Sequence, residues 1–468
     1  MCGIFGIVST VNVASKIPNA LKNLQHRGEQ GCGLAVSDGS KINAYQGLGL
    51  VTQVFDDKNS QEIIESFPGK YGIGHTLYST VGEAEEAMQT QTLQPLFGTF
   101  NKNEVFAVAH NGNLINLYEL RDEAERNGYK FKSKTSDTEV IVALLSTSEE
   151  TDFLKALLKV LPRLEGSFAL TILFKDKVIG VQDKHGIRPL WLGFAQDSTS
   201  FILASEDCVF HQIGANSVRE IGPGEIIVLG RNGIEKENSF IWADSPERKI
   251  CIFEYVYFAR PDSTICGQTV YSYRKNASQI LAKEQPVEAE IATGTPDSGN
   301  IYDIHYAQAS GIPLEAAIYR NRYIIGRLFI TPRGTDRRTL LRFKLHVLGE
   351  VVHGKRVCII DDSIVRANVM AEVASMLREQ GATEVHVRIG SSPICFPCFL
   401  GIDMHTLFEL IAANFLPEEI QKRILQVDSQ GHLSIEGMIR ASGLPRENLC
   451  LGCFTGEYPI KPPEGMIS

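Results

Sequence analysis

The pattern of apolar residues changes kind partway along this chain, and that change constrains the fold more than any other feature. Up to about residue 240 the sequence is a succession of short apolar or alternating runs: FAVAHNGNLIN, SFALTILF, KVIGVQD, SFILASED and GEIIVLG. Each is bounded by Gly, Asn or Asp, and such runs read as strands and turns. Two helical stretches interrupt them, Lys16 to Leu24 and Asp137 to Leu145. From about 250 onward strand and helix alternate. AEIATG, PLEAAIYR, KRVCIIDD and EVHVRIG read as buried parallel strands. VMAEVASMLREQGA reads as an amphipathic helix closed by Gly381. The two halves need different layer plans, and 468 residues exceed what one hydrophobic core organises. Two domains are therefore predicted. Residues 1–240 form a layered α/β domain on antiparallel strands, and residues 250–468 a doubly wound parallel sheet. The boundary is placed in the polar, weakly periodic stretch from Arg231 to Arg248.

Charge and cysteine usage narrow the class. A net charge of -9 argues against a broad nucleic-acid surface, which needs a basic face. No apolar run has the length to span a bilayer, and no basic segment followed by an apolar stretch opens the chain. A cytoplasmic protein with no membrane partner is expected. In a reducing compartment the ten cysteines are not expected to form a disulfide framework. Two CxxC spacings, in PICFPCF and NLCLGCF, point to a metal or cluster site, or else to buried thiols.

Two stretches carry candidate chemistry. The chain begins MCGIFGIVST. Removal of the initiator Met would leave Cys2 with a thiol nucleophile and an α-amine to serve as its base; the alternative is a small buried hydrophobe. In AHNGNL, Asn111 and a backbone N–H could face one point, as an oxyanion hole requires. Asp137 could hold an ammonium group, although Thr135-Ser136-Asp137 before an apolar helix is also good capping chemistry. In the second half, KRVCIIDDSIVRANVM runs a buried strand into Asp361 and Asp362, then a loop, then a helix. Two carboxylates at a strand's carboxyl end suit a ribose diol or a magnesium ion bridging a diphosphate. The helix N-terminus behind them suits a phosphate; solvated aspartates beside a capped helix are the alternative.

Taken together and in order, MCGIFGIV, QHRG, GHTLYST, HNGN and SDTE resemble the glutaminase domain of class II glutamine amidotransferases, which are N-terminal-nucleophile (Ntn) hydrolases. FEYVYFARPDS, TPDSGN, NRYIIGRLFITP, RFKL, GATEVHVRI, PCFLGID and CLGCFTGEYP extend the resemblance over nearly the whole chain, to the amidophosphoribosyltransferases. The implied fold is an Ntn αββα sandwich followed by a type I phosphoribosyltransferase-like doubly wound sheet. The implied reaction moves the amide nitrogen of glutamine to phosphoribosyl pyrophosphate (PRPP), giving phosphoribosylamine, glutamate and diphosphate in purine synthesis. The resemblance makes Cys2 the nucleophile, Asn111 and Gly112 the oxyanion hole, and Asp137 the holder of the glutamine α-amino group, with Arg27 beside the nucleophile. It assigns Ser298, Asp361 and Asp362 to magnesium, Ser363 and Arg366 to the PRPP loop, Arg342 and Lys344 to the diphosphate, and Arg327 to a loop that closes over PRPP. Cys251, Cys398, Cys450 and Cys453 match the ligands of a four-iron four-sulfur (4Fe–4S) cluster in one branch of the family, with zinc as the other metal that four thiolates would suit. Cys395 has no counterpart and is read as a bystander. That branch usually carries a propeptide; with Met1 alone before Cys2, no self-processing is expected. A homodimer or homotetramer is implied.

Departures from the family pattern fall where substrate is read. Leu77 replaces an Arg that binds the glutamine α-carboxylate, a loss worth roughly 1.5–3 kcal/mol. Ala367, Asn368 and Val369 replace Gly-Thr-Thr in the PRPP loop, and RYIIGR is one residue longer than the family's RYVGR. Besides the family reaction, two other readings follow: a paralogue using another amide or another phosphorylated acceptor, and a non-catalytic, cluster-bearing regulator.

Overall fold

A computed structural model describes residues 2–78, 91–196, 199–323 and 337–462 of the chain. It divides into two compact units. The first lies within Met1–Cys251, Cys398–Asp403 and Tyr458–Met466, the second within Ile252–Pro397 and Met404–Glu457.

Among the described residues, fourteen strands of the first unit form two sheets. They are β1 (Gly3–Ser9), β2 (Gly31–Ser37), β3 (Ile42–Leu48), β4 (Tyr71–Leu77), β5 (Leu96–Phe100), β6 (Glu104–Leu114), β7 (Gly166–Phe174), β8 (Lys177–Gln182), β9 (Trp191–Ala195), β10 (Ser200–Ala204), β11 (Ala215–Glu220), β12 (Glu225–Gly230), β13 (Gly233–Ile234) and β14 (Phe240–Ile241). One antiparallel sheet has the order β11-β9-β10-β1-β4-β2-β3; the other runs β13-β12-β8-β7-β6-β5, with β14 on β12. The period-2 pattern of the strands makes this a sandwich. Ile4 and Val8 of β1 meet Ala107, Ala109, Ala169 and Leu173 of β6 and β7 between the sheets. Phe5 and Ile7 face the other way and pack with the helix Lys16–Asn23. Phe106, Val108, Phe168 and Leu170 likewise face the helices Asp137–Ser146 and Phe153–Val160. The outcome is the expected αββα arrangement of helices outside two sheets.

Three differences from the sequence reading are informative. The stretch 231–248 is folded into the first unit: β13 and β14 pair with β12, and Trp242 Nε1 donates to Gln182 O at 3.1 Å. Its strands are two residues each, too short to show a period. The helices Lys58–Glu65, Leu117–Arg126 and Phe153–Val160 were not anticipated. Two of these are N-capped by aspartates, Asp57 accepting from Ser60 N and Asp152 from Lys155 N. Finally, PLEAAIYR is not a buried parallel strand. Leu314 makes a single parallel bridge to Ala292, and Ile318–Arg320 pairs antiparallel with Leu345–Val347.

The second unit holds a four-stranded parallel sheet in the order Ile291–Gly294, Arg356–Asp361, Glu384–Ile389, Ser429–His432. Val357, Ile359, Val385 and Val387 pack with Met370, Val373 and Leu377 of the helix Asn368–Glu379. The helix Asn300–Ser310 brings Tyr302 onto Gly390, where a Cβ would lie 2.2 Å from the ring. The strand Arg356–Asp361 is central, so its carboxyl end delivers Asp361 and Asp362 to the crevice where such sheets bind ligands.

Candidate functional site

Cys2 stands at the head of β1, a central strand, and is 9 % exposed. Side chains clamp the first turn of the strand. Cys2 N donates to Asn111 Oδ1 at 3.1 Å, Gly3 N to Thr76 Oγ1 at 3.2 Å and Ile4 N to Ser205 Oγ at 2.9 Å. Arg27, fully buried, donates from Nε to Cys2 O at 3.0 Å and from Nη1 to Glu206 Oε1 at 2.6 Å. His26 Nε2 lies 2.7 Å from the same carboxylate oxygen. Tyr78 N donates to the Cys2 sulfur at 3.5 Å. Around the thiol the wall is apolar: Leu77 and Leu93 are buried against it, with Leu48 and Tyr78 alongside.

Asn111 and Gly112 lie on β6, paired with Ala169 and Phe168 of β7. With Asn111 Oδ1 held by Cys2 N, the buried Asn111 Nδ2 meets no hydrogen-bond partner among the described residues. A buried donor left so costs about 1–3 kcal/mol, and such atoms are expected where a ligand will complete them. Gly112 has φ +155°, and a Cβ there would lie 1.9 Å from Ser167 O, so only glycine fits. Just before Asn111, His110 Nδ1 lies 3.5 Å from Asp137 Oδ1 and 3.2 Å from Thr138 Oγ1. Asp137 opens the helix Asp137–Ser146 and accepts from Thr138 N at 2.7 Å and Leu114 N at 3.3 Å. Burial opposes its ionisation, but the His110 ring and these N–H groups outweigh burial and hold the carboxyl below its ordinary range. Burial opposes the His110 imidazolium too, and Asp137 overcomes it, so the ring titrates higher than usual. The result is a buried thiol, a donor aimed at its surroundings, and a carboxylate kept ionised.

The second constellation centres on Asp361 and Asp362, both buried. Ser298 Oγ donates to Asp361 Oδ1 at 2.9 Å, as does Asp362 N at 2.9 Å, and Ser363 Oγ donates to Asp362 Oδ1 at 2.5 Å. Burial, and then the neighbouring Asp362 charge, push the Asp361 pKa well above the carboxylate range; burial raises that of Asp362. Two buried adjacent carboxyls beside a hydroxyl fit a magnesium ion, which takes one or two carboxylates and completes its shell with water and substrate phosphate. Behind them Ala367, at the N-terminus of the helix Asn368–Glu379, has φ +62°, a left-handed conformation for a residue with a Cβ.

The expected PRPP-contacting residues are engaged elsewhere in part. The Arg366 guanidinium is held by Glu409. Arg342 is committed to Glu372 and to Glu379, the latter bidentate at 2.6 and 2.9 Å, along the helix that follows the aspartates. Lys344 is buried, its carbonyl accepting from Asn321 N at 2.8 Å. Arg327 lies outside the described residues. None of the ten cysteines is in a disulfide. Cys398 Sγ accepts from Leu400 N at 3.4 Å, and Cys395 Sγ lies 3.6 Å from Pro393 O. Among the described residues no three His, Cys, Asp or Glu side chains form a metal-holding group.

Residues 85–212 match the glutamine amidotransferase domain family. The chain is 44% identical to an amidophosphoribosyltransferase of Methanocaldococcus jannaschii, covering 98% of each, and 40% identical to that of Bacillus subtilis, covering 98% of this chain and 94% of the relative. It superimposes with a TM-score of 0.89 on the solved glutamine PRPP amidotransferase of B. subtilis in complex with ADP and GMP, at 40% identity over 99% of this chain and 98% of the other. The chain belongs to the amidophosphoribosyltransferase family. The Ntn sandwich and the phosphoribosyltransferase-like sheet are the fold of that family, as expected from the motifs. The amidophosphoribosyltransferase motifs did not reveal Glu206, which ties down Arg27 and His26, nor Tyr78 as a neighbour of the sulfur. Glu206 lies in the run SFILASED, where a strand pattern gave no reason to single it out; Tyr78 sits inside GHTLYST, but its backbone contact with a sulfur 76 residues away leaves no mark in that motif.

Proposed function

We propose that the protein hydrolyses glutamine at Cys2 and uses the ammonia to displace diphosphate from PRPP, forming phosphoribosylamine at the entry to purine synthesis. The observation that carries this reading is the junction of Cys2 with Asn111, where one amide oxygen fixes the nucleophile's backbone and the amide nitrogen is left as a buried donor. With Met1 removed, the Cys2 amine would take the thiol proton as sulfur attacks the amide carbon. Asn111 Nδ2 and the Gly112 N–H would receive the charge on oxygen. Ammonia leaves, and water then hydrolyses the glutamyl thioester. At the second site Asp361, Asp362 and Ser298 would hold a magnesium ion, which neutralises the diphosphate as it departs. Measuring glutamate release from glutamine, with and without PRPP, tests the proposal. Release stimulated by PRPP supports it; no release in either condition overturns it.

The cluster, compartment and assembly remain part of the same proposal. Cys251, Cys398, Cys450 and Cys453 are all thiols outside disulfides, which is the donor chemistry a 4Fe–4S cluster needs. The assignment rests on the motif match, and iron and sulfide analysis of anaerobically purified protein reads it directly. A cytoplasmic homodimer or homotetramer is the assembly this family membership favours. A second reading, a donor other than glutamine, is favoured by Leu77. The side chain standing in the carboxylate position is packed in the apolar wall around Cys2.

A further inference from the structure

A short segment from late in the sequence is fastened to the strand that carries the oxyanion donors. Cys398–Asp403 belongs to the same compact unit as Asn111 and Gly112. Three side chains, from β6, β7 and the loop between β8 and β9, converge on two of its carbonyls. Asn113 Nδ2 donates to Phe399 O at 2.8 Å, and Ser167 Oγ to Leu400 O at 2.8 Å. Arg188 donates from Nε to Leu400 O at 3.0 Å and again from Nη2. Ser167 and Arg188 are fully buried. Arg188 thus turns two of its N–H groups on one peptide carbonyl, while its charge also acts on the buried Asp183 carboxyl. The segment also runs close beside the Gly112–Asn113 peptide, the one that follows the donor N–H of Gly112. Gly401 has φ +101°, and a Cβ there would lie 3.3 Å from the Gly112 carbonyl carbon and 3.3 Å from Arg188 Nη2.

Gly112 is thereby confined on two sides. Ser167 O closes one, since a Cβ on Gly112 would meet it at 1.9 Å, and Gly401 closes the other. The β6–β7 ladder fixes register, but the tilt of a peptide at positive φ needs stops of this kind. We propose that Phe399–Gly401 is a positioning brace for the Asn111–Gly112 oxyanion donors, clamped by Asn113, Ser167 and Arg188. These are positioning residues: they touch no reacting atom and act through the β6 backbone. The inference rests on the glutaminase reading of Cys2. Misplacing donors by about 1 Å is sufficient to lose on the order of a hundredfold in rate.

The test uses the full chain with Ser167→Ala, which removes one hydroxyl, and Gly401→Ala, which pushes a methyl toward Gly112. Four quantities are read: kcat and KM for glutamine, inhibition by glutamate γ-semialdehyde, alkylation of Cys2 by iodoacetamide, and amide hydrogen exchange. The semialdehyde accepts the thiol across its carbonyl; a C–S bond forms and the thiol proton passes to the new oxygen, which then sits where the oxyanion would. The brace predicts a kcat lower by about tenfold or more, in line with donor misplacement, and a semialdehyde Ki raised by the same factor. It predicts an unchanged KM, an unchanged alkylation rate and faster exchange confined to residues 110–114. Unchanged Ki and unchanged exchange overturn it, as does faster exchange throughout the first unit together with altered alkylation, the mark of a merely structural staple. Should Gly401→Ala fail to fold, Ser167→Ala decides. Should the parent protein release no glutamate, the proposed function fails while the exchange data still decide the brace.

Discussion

The Cys2 site and the aspartate site each depart from the family pattern, and the fold treats the two departures differently. Leu77 ends a regular strand and is buried in an apolar cluster with Leu93 and Cys2. Ala367 takes the place of a glycine and keeps a left-handed backbone, φ +62°, at the head of a helix. A Cβ in that conformation costs roughly 1–2 kcal/mol. One change has been absorbed by packing, and the other is carried as strain. Under the proposed function, Cys2 with Asn111, assigned to the amide chemistry, and Asp361 with Asp362, assigned to magnesium, are both present. Substrate affinity, rather than the capacity for chemistry, is therefore where the two sites should differ from their relatives.

The largest effect separates the two sites outright. Cys2→Ala should abolish glutamate release while leaving phosphoribosylamine formation from added ammonia intact, as followed by diphosphate production. Loss of both would mean that the aspartate site does not work alone. Next in size is Leu77→Arg. A carboxylate contact worth roughly 1.5–3 kcal/mol should lower the KM for glutamine about ten- to a hundredfold, at some cost in melting temperature from burying a cation. An unchanged KM would show that another group already holds the carboxylate.

The aspartate pair makes a prediction in pH. Both carboxyls have raised pKa values in the fold, from burial first and then, for Asp361, from the neighbouring charge. The unfolded chain releases these protons near pH ~4, so above that the native state holds more protons than the unfolded one. Stability should then fall as pH rises from about 4 through the raised values. Asp362→Asn should flatten that slope and raise the melting temperature at pH ~8 in magnesium-free buffer, while removing PRPP turnover. A melting curve indifferent to the substitution would refute the burial argument. The smallest effect is that of Ala367→Gly, which should stabilise the protein by about 1 kcal/mol and lower the KM for PRPP, as read by urea denaturation and steady-state kinetics.

Much of the site was legible because its residues sit in short motifs. HNGN placed Asn111 and Gly112 together, SDTE placed Asp137 at a helix start, and CIIDD placed two carboxylates at the end of a buried strand. What was not legible depends on contacts between distant segments. Ser167 and Leu400 are 233 residues apart, and Arg27 and Glu206 are 179 apart. Neither pair leaves a local period or a turn signature, because a buried polar group needs only one partner and that partner can come from anywhere. The return of Cys398–Asp403 to the first unit was hidden for the same reason. Arg342 was legible as a basic residue but not in its partners, since Glu372 and Glu379 compete for it from a helix that looked merely amphipathic.

The central claim is that both sites work on one nitrogen atom. Protein supplied with amide-15N glutamine, PRPP, magnesium and an excess of unlabelled ammonia measures it directly, with the isotope content of the phosphoribosylamine trapped as it forms. The account predicts that the product carries 15N above the proportion set by the mixed ammonia pool. Product labelled only in that proportion, or no product at all, would contradict it.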